Sequence, residues 1–365
     1  MNRKIKPVIA FFGSSLVSAY WNGAATYYRG IIKNLNRLGY EITFYEPDAY
    51  ERQQNRDIPD PEWAKVVVYR NDKASLDKAL EEASSADIIV KASGVGVFDT
   101  YLEKAVLELR KPDQLVIFWD VDAPATLDSV FSDANAPFRK LVPEYDLILT
   151  YGGGDPVVKK YRLLGARECI PVYNALDPET HFPVQPEERF ASDLSFLGNR
   201  LPDREARVKE FFLDVAAKKR EKIFVLGGSG WNDTGMPSNV KVAGHVFSRD
   251  HNAFNCSSTF VLNISRQSMA DYGFSPATRV FEAAGAGTCI ITDSWEGINS
   301  FFEPGREILV ARNGNEVGYF MEDIGKEEAY EIGLAARKRV LADHTYRQRA
   351  NLLDKILSSQ SVMQH

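Results

Sequence analysis

Short apolar runs recur along the chain, and segments with helical spacing lie between them. Strands that are apolar on both faces are typical of parallel sheets that helices cover on each side. In the first half we predict strands at residues 8–12, 42–45, 66–69, 88–90, 115–119, 147–150 and 169–173. In the second half we predict them at residues 194–197, 223–226, 240–243, 260–264, 289–292 and 308–310.

Apolar residues at helical spacing separate many of these runs. Residues 24–38 fit a helix that Gly39 would end, which gives a first βαβ unit. Further helices are predicted at 204–219, 276–285, 326–343 and 346–357. The alternation predicts an α/β protein of two doubly wound, Rossmann-like domains that face each other across a cleft. Its ligand should bind there, at the carboxyl ends of the strands.

Domain boundaries follow from length and local composition. The 365 residues suffice for two domains, and residues 174–193, rich in proline and acid, are typical of an interdomain linker. We therefore predict domains at 1–173 and 194–345. The C-terminal helix, at 346–365, could pack back on the first domain.

Composition narrows the possible partners. Lysine and arginine number 44 against 50 aspartate and glutamate, a formal net charge of −6, so no nucleic-acid partner is expected. The three cysteines are far apart in sequence, which predicts reduced thiols rather than disulfides. The histidines at 181, 245 and 251 show no ligand spacing, so no metal site is expected.

The N-terminus resembles a secretory signal, because basic residues 2–6 precede an apolar stretch at 8–20. Gly13, Ser14 and Ser15 interrupt that stretch, and the first strand of a parallel sheet has the same pattern, which we favour. No run approaches the roughly 18 apolar residues of a membrane span. The expected location is the cytoplasm, with at most peripheral contact between basic residues 216–222 and anionic lipid.

The segment 275–293 has the strongest pattern for chemistry. A helix predicted to open at Pro276 would offer free N–H groups to an anion. Arg279 and Glu282 share a face of this helix, so the arginine could meet a phosphate while the carboxylate accepts two hydroxyls of a ribose. The alternative is an exposed ion pair on an ordinary helix.

Two loops after predicted strands could also hold phosphate. Gly198 ends one strand and precedes Arg200 and Arg204, and arginine suits bidentate contact with phosphate oxygens. The alternative is a solvated loop in which Arg204 pairs with a neighbouring acid. The glycine-rich loop at 226–230 lacks the spacing of a dinucleotide fingerprint and is a weaker signal.

The first domain offers its own candidates at strand ends. Gly13, Ser14 and Gly23 flank the turn after the first strand, where doubly wound domains often contact phosphate or sugar, although they could simply build the turn. Asp120 and Asp122 follow a later strand. They could serve as a general base, or could cap the next helix.

Several segments together resemble glycosyltransferases of the GT-B fold, in particular the CgeB (spore-maturation) type. The similarity runs over essentially the whole chain, and these segments carry it: 22–30, 38–43, 172–183, 195–204, 281–293 and 301–310. The resemblance implies transfer of a sugar from a UDP-, GDP- or dTDP-sugar to a hydroxyl of a glycan, lipid-linked or protein acceptor. It implies no metal and no cofactor. The acceptor would bind at 1–173 and the donor at 194–345.

The resemblance also assigns residues. Asp122 or Asp120 would be the catalytic residue of the first domain, and Glu282 would bind the ribose. The remaining donor contacts would be Gly198, Asn199, Arg200, Arg204, His245, Val246, Ser275 and Arg279. The glycine-rich loop adds Gly228 and Ser229 as candidates. Many retaining members carry a pair of glutamates eight positions apart, and here Phe274 replaces the first of them.

Three other functions fit a chain of this architecture. An NAD-dependent oxidoreductase would need a dinucleotide fingerprint that no predicted strand precedes. A nucleotide-sugar epimerase would act on the donor without an acceptor. A non-catalytic nucleotide-sugar-binding protein would retain the fold without turnover, which the missing acid at Phe274 allows.

Overall fold

The computed structural model of the chain describes residues 6–20, 22–231 and 235–363. The chain folds into two compact α/β units. Unit 1 comprises residues 1–173 and 346–365, and unit 2 comprises residues 174–345, in both cases as far as the structure describes them. Residues 2–5 of the signal-like segment, and residues 364 and 365 of the predicted C-terminal helix, lie outside the described part of the chain.

Unit 1 is built on a sheet of seven parallel strands in the order β3-β2-β1-β4-β5-β6-β7. The strands are β1 Val8–Phe12, β2 Glu41–Asp48, β3 Lys65–Arg70, β4 Ile88–Ala92, β5 Leu115–Asp120, β6 Leu147–Thr150 and β7 Cys169–Pro171. Each predicted strand of the first half is present, and β4 and β5 are buried along their whole length, as their apolar runs predict.

Helices cover this sheet. They are α1 Ala25–Arg37, α2 Lys73–Ala83, α3 Asp99–Glu108, α4 Ala123–Ser132, α5 Pro137–Leu141, α6 Gly154–Leu163 and the C-terminal α14 Tyr346–Met363. Helix α14 packs on α1 within unit 1. Gly30 makes that contact possible, because a Cβ there would lie 2.2 Å from the ring of Tyr346.

Unit 2 has a sheet of six parallel strands in the order β10-β9-β8-β11-β12-β13. The strands are β8 Ser192–Leu197, β9 Phe224–Gly227, β10 Val240–Gly244, β11 Ser258–Asn263, β12 Cys289–Asp293 and β13 Leu309–Ala311. These confirm the six strands predicted for the second half, with ends that differ by one or two residues.

The helices of unit 2 are α7 Pro202–Val208, α8 Asp214–Lys218, α9 His251–Cys256, α10 Gln267–Tyr272, α11 Thr278–Ala286, α12 Gly314–Asp323 and α13 Lys326–Asp343. A π-helical turn, Lys209–Leu213, joins α7 to α8, so the helix predicted at 204–219 is one helical run with a π turn inside it. Helix α13 has the predicted bounds.

Residues 174–193, where we expect a linker, belong to unit 2. The backbone of Leu176 pairs with Thr345, and Phe190 is buried against Phe254. The three cysteines, Cys169, Cys256 and Cys289, are free thiols. Within the described residues, no helix is both long enough and apolar enough to cross a bilayer.

Candidate functional site

Most of the predicted donor residues lie where the strands of unit 2 end. Gly198, Asn199 and Arg200 follow β8, Gly228 and Ser229 follow β9, and residues 245–246 follow β10. These three strands are neighbours in one parallel sheet, so their carboxyl ends lie along one edge. In doubly wound sheets, ligands bind beyond that edge.

The loops after β8 and β9 contact each other through their backbones. The N–H of Gly198 donates to the carbonyl of Gly227 at 2.9 Å. Gly228 has a φ of 119°, and a Cβ there would lie only 2.2 Å from the carbonyl oxygen of Gly198. Its N–H donates to the carbonyl of Gly244 at 2.7 Å, which ties in the end of β10. Only glycine fits position 228 without displacing a neighbouring loop.

Further hydrogen bonds hold the same two loops together. The N–H of Ser229 donates to Oδ1 of Asn199 at 3.0 Å, and the N–H of Arg200 donates to the carbonyl of Ser229 at 2.9 Å. The buried indole of Trp231 donates to the carbonyl of Gly198 at 2.8 Å. The loops therefore form one tied structure at the edge of the sheet.

Arg204 lies in the first turn of α7, and its guanidinium faces this edge. It packs over the ring of Phe196 at 5.4 Å, and Nη2 donates to the carbonyl of Asn199 at 2.6 Å. Its buried Nε has no hydrogen-bond acceptor among the described residues. Burial lowers the pKa of Arg204, the negative charge of Asp203 opposes that change, and the positive charge of nearby Arg279 lowers the pKa further.

Arg200 is oriented differently. Its Nη2 donates to Glu205 at 2.7 Å, and Nη1 lies 3.4 Å from the carbonyl of Gly230. The other neighbouring acid, Asp203, pairs with Arg266 at 2.7 Å. Glu205 and Asp203 thus pair with other arginines, but the negative charge of Asp203 still raises the pKa of Arg204.

Arg279 and Glu282 lie on α11 and are largely buried. Glu282 is 7% exposed, and its Oε2 lies 3.3 Å from Nη1 of Arg279. The alternative of an exposed ion pair is therefore wrong. Burial alone would raise the pKa of Glu282, but His181, Arg279 and His251 lower it to about 2. Glu282 is an ionised acceptor throughout the neutral range.

Two histidines surround the same carboxylate. Nε2 of His181 lies 3.7 Å from Oε1 of Glu282, and the rings of His181 and His251 are 6.1 Å apart. One potential ligand atom from each of the three residues lies within 4.8 Å of the other two. Burial, and then Arg279, lower the pKa of His251 to about 4. The spacing of these histidines in sequence gives no sign of the cluster, because the fold joins residues that are far apart along the chain.

The loop before α11 departs from the prediction. Helix α11 begins at Thr278 and its N-cap is Ala277 in an extended conformation, so the predicted start at Pro276 is wrong by two residues. Ser275 is buried, and its hydroxyl donates to the carbonyl of Gly273 at 2.9 Å. Phe274 has a positive φ of 45°, which is rare for a bulky residue and is found most often near functional sites.

Asp293 is a buried acid at the end of β12 for which the sequence pattern predicted no function. Nη2 of Arg207 donates to it at 2.6 Å, and the N–H and hydroxyl of Ser265 donate at 3.1 and 3.2 Å. Burial raises the pKa of Asp293, and Arg207 opposes that rise. This carboxylate joins α7 to the ends of β11 and β12. Its place directly after a buried apolar run was the signal available.

In unit 1, Asp120 is fully buried at the end of β5. Its oxygens accept hydrogen bonds from the hydroxyls of Ser93, Tyr161 and Thr126 at 2.7, 2.5 and 3.0 Å, and from the N–H of Asp122 at 3.0 Å. Burial raises its pKa. All of these donors belong to unit 1, so Asp120 connects the end of β4 with α4 and α6.

Asp122 differs from Asp120 in being partly exposed. It occupies the N-cap position of α4, although its side chain makes no capping hydrogen bond. Of the two acids, Asp122 remains the candidate base. It lies at the carboxyl end of β5, where doubly wound domains place functional side chains.

The turn after β1 is closed by its own side chains. A Cβ on Gly13 would lie 2.4 Å from the ring of Phe44, so the strand needs glycine there to end against β2. The hydroxyl of buried Ser14 donates to Oδ1 of Asn22 at 2.9 Å. Gly23 lies in open space, with no described heavy atom within 4 Å of the point that a Cβ would occupy.

Known glycosyltransferases resemble this chain in sequence family and in structure. Residues 204–355 match a family described as glycosyl transferase-like. The structure of Anabaena HepE in complex with UDP and glucose is similar with a TM-score of 0.70 at 13% identity, covering 97% of this chain and 100% of that one. Sucrose-phosphate synthase of Thermosynechococcus elongatus has a TM-score of 0.69 at 12% identity, covering 97% and 99%. The chain has the GT-B fold.

A third structure agrees with this assignment. It is an alpha-glucosyltransferase in complex with UDP-glucose and DNA containing an abasic site. Its TM-score is 0.71 at 13% identity, and the match covers 96% of this chain and 99% of that one. No curated protein sequence is significantly similar to the chain. At 12–13% identity, these similarities show the fold alone.

The structure brings some predicted donor residues together and separates others. Gly198, Asn199, Gly228 and Ser229 form the tied loops, and Arg204 donates to Asn199 and lies near enough to Arg279 for their charges to interact. By contrast, the side chain of His245 is exposed and packs on Phe247 at 4.7 Å, whereas Val246 is buried.

Proposed function

We propose that the chain is a CgeB-type glycosyltransferase that moves a sugar from a nucleotide-diphosphate sugar to a hydroxyl acceptor, and that unit 2 binds the donor. The glycosyl transferase-like match covers most of unit 2. HepE in complex with UDP and glucose, and an alpha-glucosyltransferase in complex with UDP-glucose, have similar structures. UDP is therefore the first probe to use.

One observation carries the proposal. Arg204 and Arg279 interact as like charges in a buried place at the ligand edge of the sheet, and the Nε of each has no acceptor among the described residues. Buried donors without acceptors cost about 1–3 kcal/mol each, and neighbouring buried cations repel. An anion between these arginines would offset both costs, and a diphosphate is the anion that a donor-binding unit requires.

Glu282 supplies the second half of the donor site. An ionised carboxylate accepts hydrogen bonds and donates none, so it suits the two hydroxyls of a ribose. Its side chain lies next to Arg279, so the ribose would lie next to the diphosphate. The backbone at 244–246 would contact the base, and the tied loops after β8 and β9 would lie against the diphosphate.

The proposed chemistry follows from these charges. Negative charge develops on the leaving diphosphate, and preorganised cationic donors stabilise it in a site from which water is excluded. Because Arg204 and Arg279 supply this positive charge, we propose a reaction that needs no metal ion. In an inverting reaction, Asp122 would remove the proton from the acceptor hydroxyl. The acceptor class, the CgeB assignment and a cytoplasmic location belong to the same proposal.

Calorimetry with UDP tests the donor site. Arg279→Gln and Glu282→Gln each remove one charged contact, which should weaken UDP binding roughly 10- to 100-fold. Glu307 and Arg339 are matched controls, because they form a similar ion pair at 3.0 Å in the same unit but precede β13 or lie on α13. Glu307→Gln and Arg339→Gln should leave UDP affinity unchanged. Equal affinity in all four variants would contradict the donor site.

A second function is favoured by one residue. Phe274 stands where many retaining members carry an acid, and its backbone is held by a hydrogen bond from its N–H to the carbonyl of Glu296 at 2.6 Å. A protein that binds a nucleotide sugar without turning it over would tolerate this change. Incubation with UDP-glucose tests this alternative, because release of UDP, with water taking the sugar, would contradict a protein that only binds the donor.

A further inference from the structure

We propose that His181, His251 and Glu282 form a binding site for a divalent transition-metal ion such as Zn²⁺ or Co²⁺. The three side chains come from separate parts of unit 2: the segment before β8, the start of α9 and the middle of α11. This site goes beyond the proposed transfer reaction, which uses Glu282 without a metal.

The geometry of the three ligand atoms supports the site. One atom from each residue lies within 4.8 Å of the other two, and Nε2 of His181 is 3.7 Å from Oε1 of Glu282. A tetrahedral ion with bonds of about 2 Å holds its ligand atoms roughly 3.3 Å apart. Side-chain movements of roughly 1 Å would therefore complete three of four coordination positions, leaving one for water.

The surroundings orient these ligands. Nδ1 of His181 lies 2.9 Å from Oγ1 of Thr180, so a protonated Nδ1 can donate to the hydroxyl and present the lone pair of Nε2 to the metal. Metal-binding histidines usually have such an outer partner on the second nitrogen. Glu282 divides its oxygens in the same way, with Oε1 towards His181 and Oε2 towards Arg279.

The ligand set selects the class of ion. Two imidazole nitrogens with one carboxylate oxygen are typical of zinc, cobalt, nickel or iron sites, whereas Mg²⁺ and Ca²⁺ prefer oxygen ligands alone. The positive charge of Arg279 opposes a cation, so binding should be weaker than at a site without it. The expected occupant is therefore an exchangeable ion rather than a permanently held one.

A consequence rests on the proposed function. If Glu282 also accepts the ribose hydroxyls, a bound ion and the donor compete for one carboxylate. Co²⁺ should then weaken UDP binding, and UDP should weaken Co²⁺ binding by the same factor. The ion would act as an inhibitor of transfer.

The test is a titration of tag-free protein with Co²⁺, followed by visible absorption and calorimetry. Wild type should bind one ion per chain with the intense absorption of a tetrahedral site. His181→Gln and His251→Gln should each weaken binding by at least the roughly 10- to 100-fold that loss of an outer-shell partner costs. His245→Gln is the matched control, because its exposed side chain packs on Phe247 outside the cluster, and it should bind Co²⁺ like wild type.

The outcomes separate this proposal from the donor site. Absence of Co²⁺ binding by wild type, or equal binding by the two cluster variants, would overturn the metal site. Circular dichroism and a thermal melt of each variant show whether it has folded, and the alanine variants replace any that has not. UDP binding measured in a chelator tests the donor site alone. An unchanged UDP affinity at saturating Co²⁺ would overturn the shared use of Glu282.

Discussion

Replacing Gly228 with alanine tests whether the tied loops after β8 and β9 position the donor. The new Cβ would lie 2.2 Å from the carbonyl oxygen and 2.5 Å from the carbonyl carbon of Gly198, and side-chain carbons essentially never approach closer than 3.0 Å. Both contacts are backbone atoms, so no side chain can turn away to relieve the overlap. The loops must separate by roughly 1 Å, and a misplacement of that size can cost on the order of 10²-fold in rate.

The backbone conformation adds a second cost. Gly228 has a φ of 119°, and holding a residue with a Cβ in such a region costs about 1–3 kcal/mol. Separation of the loops also strains the 2.7 Å hydrogen bond from its N–H to the carbonyl of Gly244. We therefore expect Gly228→Ala to lower the free energy of unfolding by about 1–3 kcal/mol and to weaken UDP binding at least about 10-fold.

Urea denaturation and UDP calorimetry measure the two effects separately. Gly325→Ala is the matched control, because Gly325 lies in the same unit with an ordinary φ of −70°, and a Cβ added there would have no described heavy atom within 4 Å. It should leave UDP affinity unchanged and lower the free energy of unfolding by at most about 1 kcal/mol, because Gly325 is the N-cap of α13 and alanine is a poorer N-cap than glycine. Wild-type UDP affinity in a folded Gly228→Ala protein would refute the role of these loops in donor binding, even if stability fell as expected.

Three further predictions concern single side chains. His251 has a pKa lowered to about 4 from 6.5, so the unfolded chain takes up a proton at a higher pH than the folded chain. Wild type should therefore lose up to about 3 kcal/mol of its free energy of unfolding as pH falls from 6.5 to 4. His251→Gln should lose that much less, and urea denaturation at each pH measures the difference. Asp120→Ala should lower the free energy of unfolding by about 3 kcal/mol or more in the same assay, because four donors lose their acceptor. Asp122 is partly exposed, so Asp122→Ala should lower it by under about 1 kcal/mol. The same variant should lower the transfer rate at least about 10²-fold with UDP binding intact. Gly30→Ala should lower the free energy of unfolding by about 1–3 kcal/mol through overlap with Tyr346. Gly23→Ala should change it hardly at all, because a Cβ there would lie in open space. Equal melting temperatures for these two variants would contradict the packing of α14 on α1.

The central strands could be predicted because burial on both faces leaves a continuous apolar run, whereas the edge strands β3 and β10 are apolar but largely exposed. Strand β5 illustrates both the success and its limit. Its run from Leu115 to Trp119 is apolar, yet the ladder continues through Asp120, which pairs with Thr150 of β6. Hydrogen bonding between backbones does not depend on side-chain polarity, so apolar patterns miss polar residues at strand ends. Those are the positions where ligand-binding residues of a parallel sheet lie.

The cluster around Glu282 could not be predicted from spacing. Ligand motifs are detectable in sequence when a single helix or loop supplies their members, which fixes the separation. His181 and Glu282 are instead about a hundred positions apart, and His251 belongs to a third element. Their meeting depends on how residues before β8 pack on α9 and α11, a tertiary arrangement that leaves no periodic trace in the sequence.

Helix geometry, by contrast, helps to predict which neighbouring acids face Arg204. Residues adjacent in sequence do not face each other on a helix, whereas those three or four positions apart do. Asp203 and Glu205 therefore point away from Arg204 once the segment is helical, and the structure pairs them with Arg266 and Arg200 instead. A helix predicted from 204 onwards already implied that Glu205 would not face this arginine, whereas Asp203 precedes that predicted helix. In the fold, burial, Arg279 and Arg266 disfavour the charged form of Arg204, whereas the negative charges of Asp203 and Asp293 favour it.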